Sequence, residues 1–481
     1  MHASRPIRGE GTGEDMNHHG YFGRGDRTVE CCIIGTGGFG RSFLAQGLVV
    51  PGLSVRVAVD VEAAIAAASL RSVGIAEADI RECHTPEEAH RAWEAGAFIA
   101  TGRYETVAAL PVAVVVEATG NPEVGAHHAA RAIEAGCHVA MVSKEVDSVA
   151  GPGLADMARE AGVIVSPVDG DQPSLLIGLV TWAEVLGLEI VCAGKSSEYD
   201  FVYDPETGTI DCNGTVHEVP GFAGLERLGD AAVPDMVARR SEATAALPQR
   251  AVPDLCEMTI VANSCGMLPD RPDLHCPIAR IDEVPSILCE AADGGILSQA
   301  GVLDVFHCLR APGEISFAGG VFVVVRCRHE ETWDLLRGKG HVLSRDGKTA
   351  MVYIPRHLLG MEAATTVFEM ALRGVSSGAE RPGHHVDLVA VADRDFPAGA
   401  RLDMGGHHHS IDGVSSRMVP GAPLTPQGPA PFYIASNRVL ARDVQAAEPI
   451  RMSDLVLDED SELLRLRHEQ DRRLADRKLT A

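Results

Sequence analysis

The first part of the chain alternates short, continuous apolar runs with longer segments in which apolar residues recur at helical spacing. Continuous apolar runs are typical of strands that are buried on both faces of a parallel sheet. The predicted strands are 29–34, 53–59, 111–117, 138–142 and 163–166. The predicted helices between them are 41–49, 61–72, 122–135 and 153–161. This alternation predicts a doubly wound parallel sheet, and so an α/β Rossmann domain over residues 29–166.

The periodicity is weaker from residue 167 onward. Residues 200–255 are rich in proline, glycine and charged residues, and the pattern places no helix or strand within them. The elements that the pattern does predict are helices 175–186, 254–263 and 365–373 and strands 188–192 and 319–326. We therefore expect a second, α+β domain over residues 167–374.

The last hundred residues read as a small all-β unit with a helical tail. Residues 375–384 are polar and rich in proline and glycine, as linkers are. Short strands without a good helix are predicted for 385–458, and we expect this module to fold separately. Residues 459–481 are dense in charge, and 461–479 predict a short amphipathic helix. Residues 1–28 are rich in glycine, histidine and arginine and are expected to be a disordered extension. They lack the apolar stretch of a signal peptide.

Composition narrows the class of protein. The chain of 481 residues is 46% hydrophobic and carries a formal charge of −25, which argues against a nucleic-acid partner. Its 12 cysteines lie mostly in apolar runs without a CxxC pair, as expected for reduced thiols in the cytosol. No apolar run is long enough to span a membrane. We therefore expect a cytoplasmic protein that binds a small molecule.

A glycine-rich loop follows the first predicted strand and opens the first predicted helix. Such a GxGxxG loop brings backbone N–H groups at a helix N-terminus to the phosphates of a dinucleotide. Asp60 ends the next strand, where a carboxylate binds the adenosine ribose and favours NAD over NADP. Arg56 lies nearby on the strand, so NADP stays open. The predicted cofactor-binding loop consists of Gly35, Thr36, Gly37, Gly38, Phe39 and Gly40.

Polar residues follow the later strands, at the edge where ligands bind in parallel sheets. Lys195 is predicted to polarise a substrate carbonyl or donate a proton, with Lys144 or Asp171 in support. The alternatives are that Lys144 and Lys195 are ordinary solvated lysines and that Asp171 is only a helix N-cap. Further cofactor contacts are predicted for Ala118, Thr119, Gly120, Asn121, Ser143 and Lys144.

Three histidine clusters are interpreted as surface or linker residues. They are His127-His128, His384-His385 and His407-His408-His409. Neighbouring residues on a strand point to opposite faces, which makes a run of histidines a poor metal site. His275 and Cys276, with Cys265 nearby, lack the spacing of a metal-binding motif and are only a weak indication of a metal site. No metal ligand is therefore assigned.

Besides the glycine loop, the chain carries a series of short motifs. In chain order they are EATGNPEVGAHHAARAIEAG (117–136), SKEVD (143–147), GDQPS (170–174), AGKSS (193–197), EMTIVAN (257–263), GGVFVVV (319–325), IPRHLLGME (354–362) and LDMGG (402–406). In order and number, these motifs resemble those of homoserine-dehydrogenase-like oxidoreductases that end in a SAF domain, a group that includes deoxyxylulose-phosphate-reductoisomerase-like enzymes. The resemblance implies an NAD(P)-dependent enzyme with a catalytic and dimerisation domain over 167–374, a SAF β-clip over 385–458 and a homo-oligomeric state.

Departures from the family pattern bear on the substrate. Glu198 stands where the family has a basic residue, which disfavours an anionic phosphate substrate. His407-His408-His409 replace an aromatic residue and a threonine, and the GGIP-type loop of true homoserine dehydrogenases is missing.

Three functions follow from these observations. The first is hydride transfer between a nicotinamide and a small polar hydroxy or carbonyl compound, such as a sugar, polyol or hydroxy acid. The second is a reductoisomerase that acts on a sugar phosphate with a divalent metal. The third is a nucleotide-sensing scaffold without turnover.

Overall fold

The structure is a computed structural model and describes residues 17–22, 27–406 and 409–480. Most of the predicted disordered extension, and also His407 and His408, therefore lie outside the described residues. No helix in the described ranges combines the length and the apolarity needed to cross a membrane.

The N-terminal part is built on one parallel sheet. Its elements are α1 Asn17–Phe22, β1 Val29–Ile34, α2 Gly38–Gln46, β2 Leu53–Val59, α3 Ala63–Ser72, β3 Ile80–Glu82, α4 Pro86–Glu94, β4 Phe98–Thr101, β5 Val114–Glu117, α5 Pro122–Glu134, β6 His138–Met141, α6 Lys144–Glu160 and β7 Val165–Pro167. Seven parallel strands lie in the order β3-β4-β2-β1-β5-β6-β7. The order reverses direction between β1 and β5, which is where ligands bind in such sheets. The predicted Rossmann-like parallel sheet is confirmed.

Two features of this sheet differ from the prediction. The short strands β3 and β4 and the helix between them were missed, because β3 has only one buried residue and no apolar run. Helix α6 begins at Lys144 rather than at residue 153, and it continues through Pro152. The backbone N–H of Gly153 donates to Gln470 Oε1 at 2.9 Å, so a partner outside the helix satisfies one group near the proline.

The middle part is a mixed α/β unit with a ten-stranded sheet. Its elements are α7 Gln172–Val185, β8 Ile190–Ser196, β9 Phe201–Asp204, β10 Thr209–Cys212, β11 Thr215–Glu218, α8 Val233–Ala243, α9 Val252–Cys265, β12 Leu268–Pro269, β13 Ile278–Ala279, α10 Val284–Ile287, β14 Val302–Arg310, β15 Val321–Arg326, α11 Glu330–Gly338, β16 Val342–Leu343, β17 Thr349–Ile354 and α12 Ala363–Phe368. The main strand order is β11-β10-β9-β14-β8-β15-β17-β16. The predicted helix 365–373 is instead α12 followed by the π-helical turn Glu369–Arg373.

The C-terminal part contains short antiparallel strands and a long final helix. Its elements are β18 Val386–Ala392, β19 Met404–Gly405, β20 Ser410–Ile411, β21 Val414–Pro420, α13 Phe432–Ala435, β22 Val439–Leu440, β23 Leu455–Val456 and α14 Glu462–Thr480. The predicted tail helix is confirmed. The small helix α13 departs from the all-β expectation.

This C-terminal part packs tightly on the rest, unlike the separately folding module that the sequence suggested. Asn263 on α9 accepts the backbone N–H groups of His385 and Val386 at 2.8 and 2.9 Å. Arg467 on α14 is fully buried and pairs with Asp387 on β18 at 2.5 Å. Helix α14 also packs along α5 and α6. The proposed linker thus joins two parts that share one core.

The buried Asp387–Arg467 pair yields a stability prediction. Asp387→Asn removes the carboxylate that faces a buried guanidinium, and loss of one partner of a buried pair costs about 3 kcal/mol of unfolding free energy. Urea unfolding at neutral pH measures this loss. Asp412→Asn is the control, because Asp412 pairs with Arg394 at 2.7 Å but is 95% exposed, so little change is expected. Equal stability of the two variants would contradict this prediction.

Candidate active site

The glycine loop between β1 and α2 is tightly packed on one side and open on the other. Gly35 has a φ of +90°, and a Cβ there would lie 2.5 Å from the Ala118 carbonyl oxygen. A Cβ on Gly40 would lie 2.1 Å from the Gly35 carbonyl oxygen. No atom outside its immediate chain neighbours lies within 4 Å of a Cβ built on Gly37. The loop therefore presents bare backbone to an open space at the start of α2.

That open space is a cavity of about 610 Å³, which we call the loop cavity. The Asp60 carboxylate lines it and accepts the backbone N–H of Thr36 at 2.8 Å and the Thr36 hydroxyl at 2.5 Å. Asp60 thus fixes the glycine loop as well as facing the cavity. Of the predicted cofactor residues, the loop cavity is lined by Gly35, Thr36, Gly37, Asp60, Ala118 and Thr119.

A second cavity, of about 510 Å³, adjoins the first and shares Ala118 and Thr119 with it. We call it the lysine cavity. The further predicted residues that line it are Gly38, Phe39, Gly120, Ser143, Lys144, Asp171 and Lys195. The structure thus places nearly all predicted site residues around two adjoining cavities at the carboxyl edge of the parallel sheet.

Two predicted residues lie outside both cavities. Gly40 is buried behind the loop, where it allows α2 to approach β1. Asn121 caps α5, because its side-chain oxygen accepts the backbone N–H groups of Glu123 and Val124 at 3.1 Å each. The structure therefore gives Asn121 a capping role in place of the predicted cofactor contact.

The lysine cavity is organised by one buried carboxylate. Glu257 on α9 forms short ion pairs with both Lys144 and Lys195. Lys144 also pairs with Asp171 at 3.3 Å, and Lys195 pairs with Asp254 at 2.8 Å. Two ammonium groups and three carboxylates therefore form one network that joins α6, α7, β8 and α9.

The network fixes the charge states of its members. Burial favours the neutral form of Lys144, but Asp171 and Glu257 outweigh it and raise the pKa of this lysine well above its usual value. The pKa of Lys195 is raised in the same way by Asp254 and Glu257. Burial alone would raise the pKa of Glu257, yet the two lysines lower it to about 2. Both lysines are therefore cationic at neutral pH.

The two lysines differ in access to the cavity. The side chain of Lys195 is 1% exposed and that of Lys144 is 26% exposed. Lys195 also lies inside β8, which runs to Ser196, rather than after the strand as predicted. The choice of Lys195 as the group that contacts the substrate does not fit this burial. Lys144, at the first turn of α6, is the more accessible cation.

Asp171 is a helix N-cap, one of the alternatives that the sequence left open, and it also belongs to the charge network. Its Oδ1 atom accepts the backbone N–H of Gln172 at 2.9 Å and so caps α7. The same carboxylate holds Lys144. Gln172 completes this corner, because its amide can donate to both oxygens of Glu257 at 3.1 and 3.2 Å.

Sequence reasoning missed several residues of the lysine cavity. Glu257 carried a usable signal, since a carboxylate inside the apolar helix α9 is costly to bury without a partner. His409 was interpreted as a surface residue, but it lines the cavity and contacts Glu145. No local pattern marks His409, because its position depends on how the C-terminal part packs. The other missed lining residues are Glu145, Gln172 and His357, whereas Glu198 was already expected near the substrate.

Within the described ranges, no group of three or more histidine, cysteine, aspartate or glutamate side chains is placed to hold a metal ion. Cys265, His275 and Cys276 therefore belong to no such group. His275 pairs with Asp270 at 2.7 Å instead.

The shared carboxylate gives a prediction with a defined pH dependence. Glu257→Gln leaves two buried or half-buried cations short of a partner and should lower the unfolding free energy by about 3 kcal/mol at pH 7. A carboxylate whose pKa is lowered to about 2 stabilises the fold above its ordinary pKa of 4.5. That contribution is lost as the pH falls toward 2, so the gap between wild type and variant should shrink.

Urea unfolding at several pH values measures that gap. Glu242→Gln on the exposed face of α8 is the control and should be nearly neutral. A gap that is constant with pH would show that the Glu257 carboxylate is not held by the lysines.

Residues 170–363 match the family model described as "Oxidoreductase DRL, catalytic domain". This stretch supplies Asp171, Lys195 and Glu257, whereas the glycine loop and Lys144 precede it. The middle of the chain is thus similar to an oxidoreductase catalytic domain. No curated protein matches the sequence.

Several solved structures also match the chain. An NAD-binding protein from Listeria innocua is 21% identical over 37% of this chain and 47% of its own, with a TM-score of 0.23. The WlbA dehydrogenase from Bordetella pertussis, in complex with NADH and UDP-GlcNAcA, is 18% identical over 36% of this chain and 48% of its own, with a TM-score of 0.24. Amine dehydrogenase from Mycobacterium smegmatis is 11% identical over 72% of this chain and 92% of its own, with a TM-score of 0.34. The chain spans about half the length of the first two of these structures.

Proposed function

We propose that the protein is a nicotinamide-dependent oxidoreductase that acts on a small polar hydroxy or carbonyl compound. The observation that carries the proposal is the pair of adjoining cavities, the loop cavity and the lysine cavity, which share Ala118 and Thr119. The first has bare glycine backbone at a helix N-terminus, and the second has an accessible ammonium group. The match to an oxidoreductase catalytic domain over residues 170–363 agrees with this proposal.

The loop cavity fits the adenosine and phosphate parts of a dinucleotide. Open backbone at Gly37 and the N-terminus of α2 suit the phosphates. The Asp60 carboxylate suits ribose hydroxyls and repels a 2′-phosphate, which favours NAD. Arg41 also lines this cavity and offers a guanidinium to a phosphate, so NADP should bind measurably. When bound, the nicotinamide supplies hydride transfer.

Arg56 does not compete for that phosphate. Its guanidinium stacks over the Trp93 ring with 3.9 Å to the ring centroid and pairs with Glu30 at 3.5 Å. The cofactor preference should therefore depend on Asp60 and Arg41 alone.

Lys144 is the residue that we assign to the substrate oxygen. A cation held in a half-buried site stabilises negative charge that develops on oxygen during reduction of a carbonyl. Lys195, deeper in the wall, keeps Glu257 in place and so orients Lys144. This reverses the order of the two lysines inferred from sequence.

The charge of the lysine cavity bears on the substrate. Lys144 and Lys195 carry two positive charges, while Glu145, Asp171, Glu198 and Glu257 carry four negative ones. This excess of negative charge disfavours a phosphate and favours a neutral polyhydroxy or carbonyl compound. The simple dehydrogenase reaction is therefore preferred over the sugar-phosphate reductoisomerase. The SAF assignment of 385–458 remains part of the proposal and rests on the LDMGG motif.

Cofactor binding should depend on the bare backbone at Gly37. Gly37→Val places a branched side chain in the open space without a clash inside the fold. We expect a folded protein whose affinity for NADH falls by about tenfold or more, or about 1.4 kcal/mol. Calorimetry with NADH and NADPH measures this, and Gly178→Ala, at an open position on α7, is the control. Unchanged NADH affinity in Gly37→Val would remove the loop cavity as the cofactor site.

Turnover should depend on Lys144 more directly than on Lys195. A panel of polyols, sugars and hydroxy acids with NAD⁺ identifies the substrate. Lys144→Met should then lower kcat by about a hundredfold, or about 2.7 kcal/mol. Its melting temperature should fall less than that of Lys195→Met, because Glu257 keeps its ion pair with Lys195.

Lys195→Met is the comparison variant. It leaves the buried carboxylates Asp254 and Glu257 undercompensated, so its main effect should be a lower melting temperature. Normal turnover in Lys144→Met would refute the assignment. Tight NADH binding without turnover on any compound of the panel would favour a nucleotide-sensing scaffold.

A further inference from the structure

His409 reaches the lysine cavity from the C-terminal part of the chain. It lies just before β20 with a φ of +48°, a conformation that few non-glycine residues adopt. Its Nδ1 atom lies 2.5 Å from Glu145 Oε1. Its ring lies against Gly120, where an added Cβ would be 2.2 Å from Cε1. A strained backbone, a glycine and a carboxylate together hold this imidazole in the cavity wall.

Glu145 is a buried carboxylate that directly follows Lys144 in the sequence. Its side chain is 8% exposed. Among the residues that the structure describes, its second oxygen, Oε2, has no hydrogen-bond partner. A buried carboxylate with one free oxygen is costly unless a cation is close. His409 is the titratable group that meets this need.

The proposed reaction requires a group that exchanges a proton near neutral pH. The two lysines cannot do so readily, because their carboxylate partners raise the pKa of each. Asp171 and Glu257 are engaged with those lysines. Two histidines line the same cavity, His357 and His409. Among the described residues, His357 has one hydrogen-bond partner, the Gly319 carbonyl oxygen, which lies 2.9 Å from Nδ1, and it is paired with no carboxylate.

We propose that His409 is the catalytic acid–base residue of this site and that Glu145 positions it. This inference rests on the proposed function, and it assigns to the C-terminal part a residue that completes the active site. The ring nitrogen Nδ1 faces Glu145, so Nε2 is the atom that exchanges the proton with the substrate.

The step balances as follows for oxidation of an alcohol. The substrate O–H bond breaks and its proton goes to Nε2 of neutral His409, while the oxygen electrons form the carbonyl. The C–H bond breaks, and its hydrogen leaves with the electron pair as hydride to the oxidised nicotinamide. Reduction runs in reverse, with protonated His409 donating to the oxygen.

Charged groups around His409 set the direction of its pH dependence. The hydrogen bond to Glu145 and the charge of that carboxylate raise the pKa of His409, burial and the Lys144 charge lower it, and the net shift is upward from the ordinary imidazole pKa. Across the cavity stand Asp171, Glu198, Glu257 and Lys195. Oxidation uses the neutral imidazole, so its rate should rise as the pH rises through this pKa.

Nuclear magnetic resonance of histidine-labelled protein tests the pair without turnover. The His409 signal, assigned by its loss in His409→Asn, should titrate at higher pH in the wild type than in Glu145→Gln, because the variant loses the hydrogen bond and the charge that raise this pKa. The His275 signal is the control, since its partner Asp270 is unchanged. If His409 titrates at the same pH in Glu145→Gln as in the wild type, the proposed pairing of His409 with Glu145 is wrong.

Kinetics with the substrate from the panel tests the catalytic role. His409→Asn should lower kcat by about a hundredfold or more, remove the rising limb of the pH profile and leave NADH affinity within about threefold. In Glu145→Gln the rise of the oxidation rate should occur at lower pH than in the wild type. His357→Asn is the matched variant from the same cavity, and its oxidation rate should rise with pH as in the wild type.

Two results would overturn the assignment while leaving the proposed function intact. One is near-normal kcat in His409→Asn, and the other is loss of the limb in His357→Asn. A wild type that binds no dinucleotide in calorimetry, or that turns over no compound, would overturn the proposed function and this inference together.

Discussion

A single carboxylate shared by two lysines holds the site together. Glu257 lies on an apolar helix of the middle sheet unit, Lys144 begins a helix of the parallel-sheet unit, and Lys195 lies within a strand. Because a lone buried charge is costly, each of these groups requires the others to be in place. The same ion pairs that keep the charges compensated also fix the angle between the two units, and with it the shape of the lysine cavity.

The C-terminal part extends this dependence to the whole chain. Its first strand is held by Asn263 on the helix that carries Glu257, and its last helix lies along the helix that begins at Lys144. His409 then stands beside Glu145, one residue from Lys144. Shape and charge in the lysine cavity are therefore set by three stretches of sequence that are far apart in the chain.

Local pattern was enough to predict the parallel sheet and the glycine loop. Strands 29–34 and 53–59 agree with the structure to the residue, because apolar residues dominate both and are buried. Strands β9 to β11 were missed, since they are four residues long and partly exposed. The charge network could not be predicted in detail, because Glu257 meets Lys195 across 62 residues and Lys144 across 113. Contacts between residues so far apart in the chain depend on tertiary packing, and the local periodicity of the sequence does not predict them.

The contact between Gly153 and Gln470 has a consequence for how the protein is made. The chain emerges from the ribosome N-terminus first, and domains fold as they appear. The parallel sheet is complete by Pro167. The acceptor of the Gly153 N–H, Gln470, is synthesised 317 residues after Gly153. Arg473, which pairs with Glu160 at 2.5 Å, arrives later still. The face of α6 that α14 covers is therefore exposed for most of the synthesis of the chain. A premature stop codon before α14 would leave that face exposed permanently.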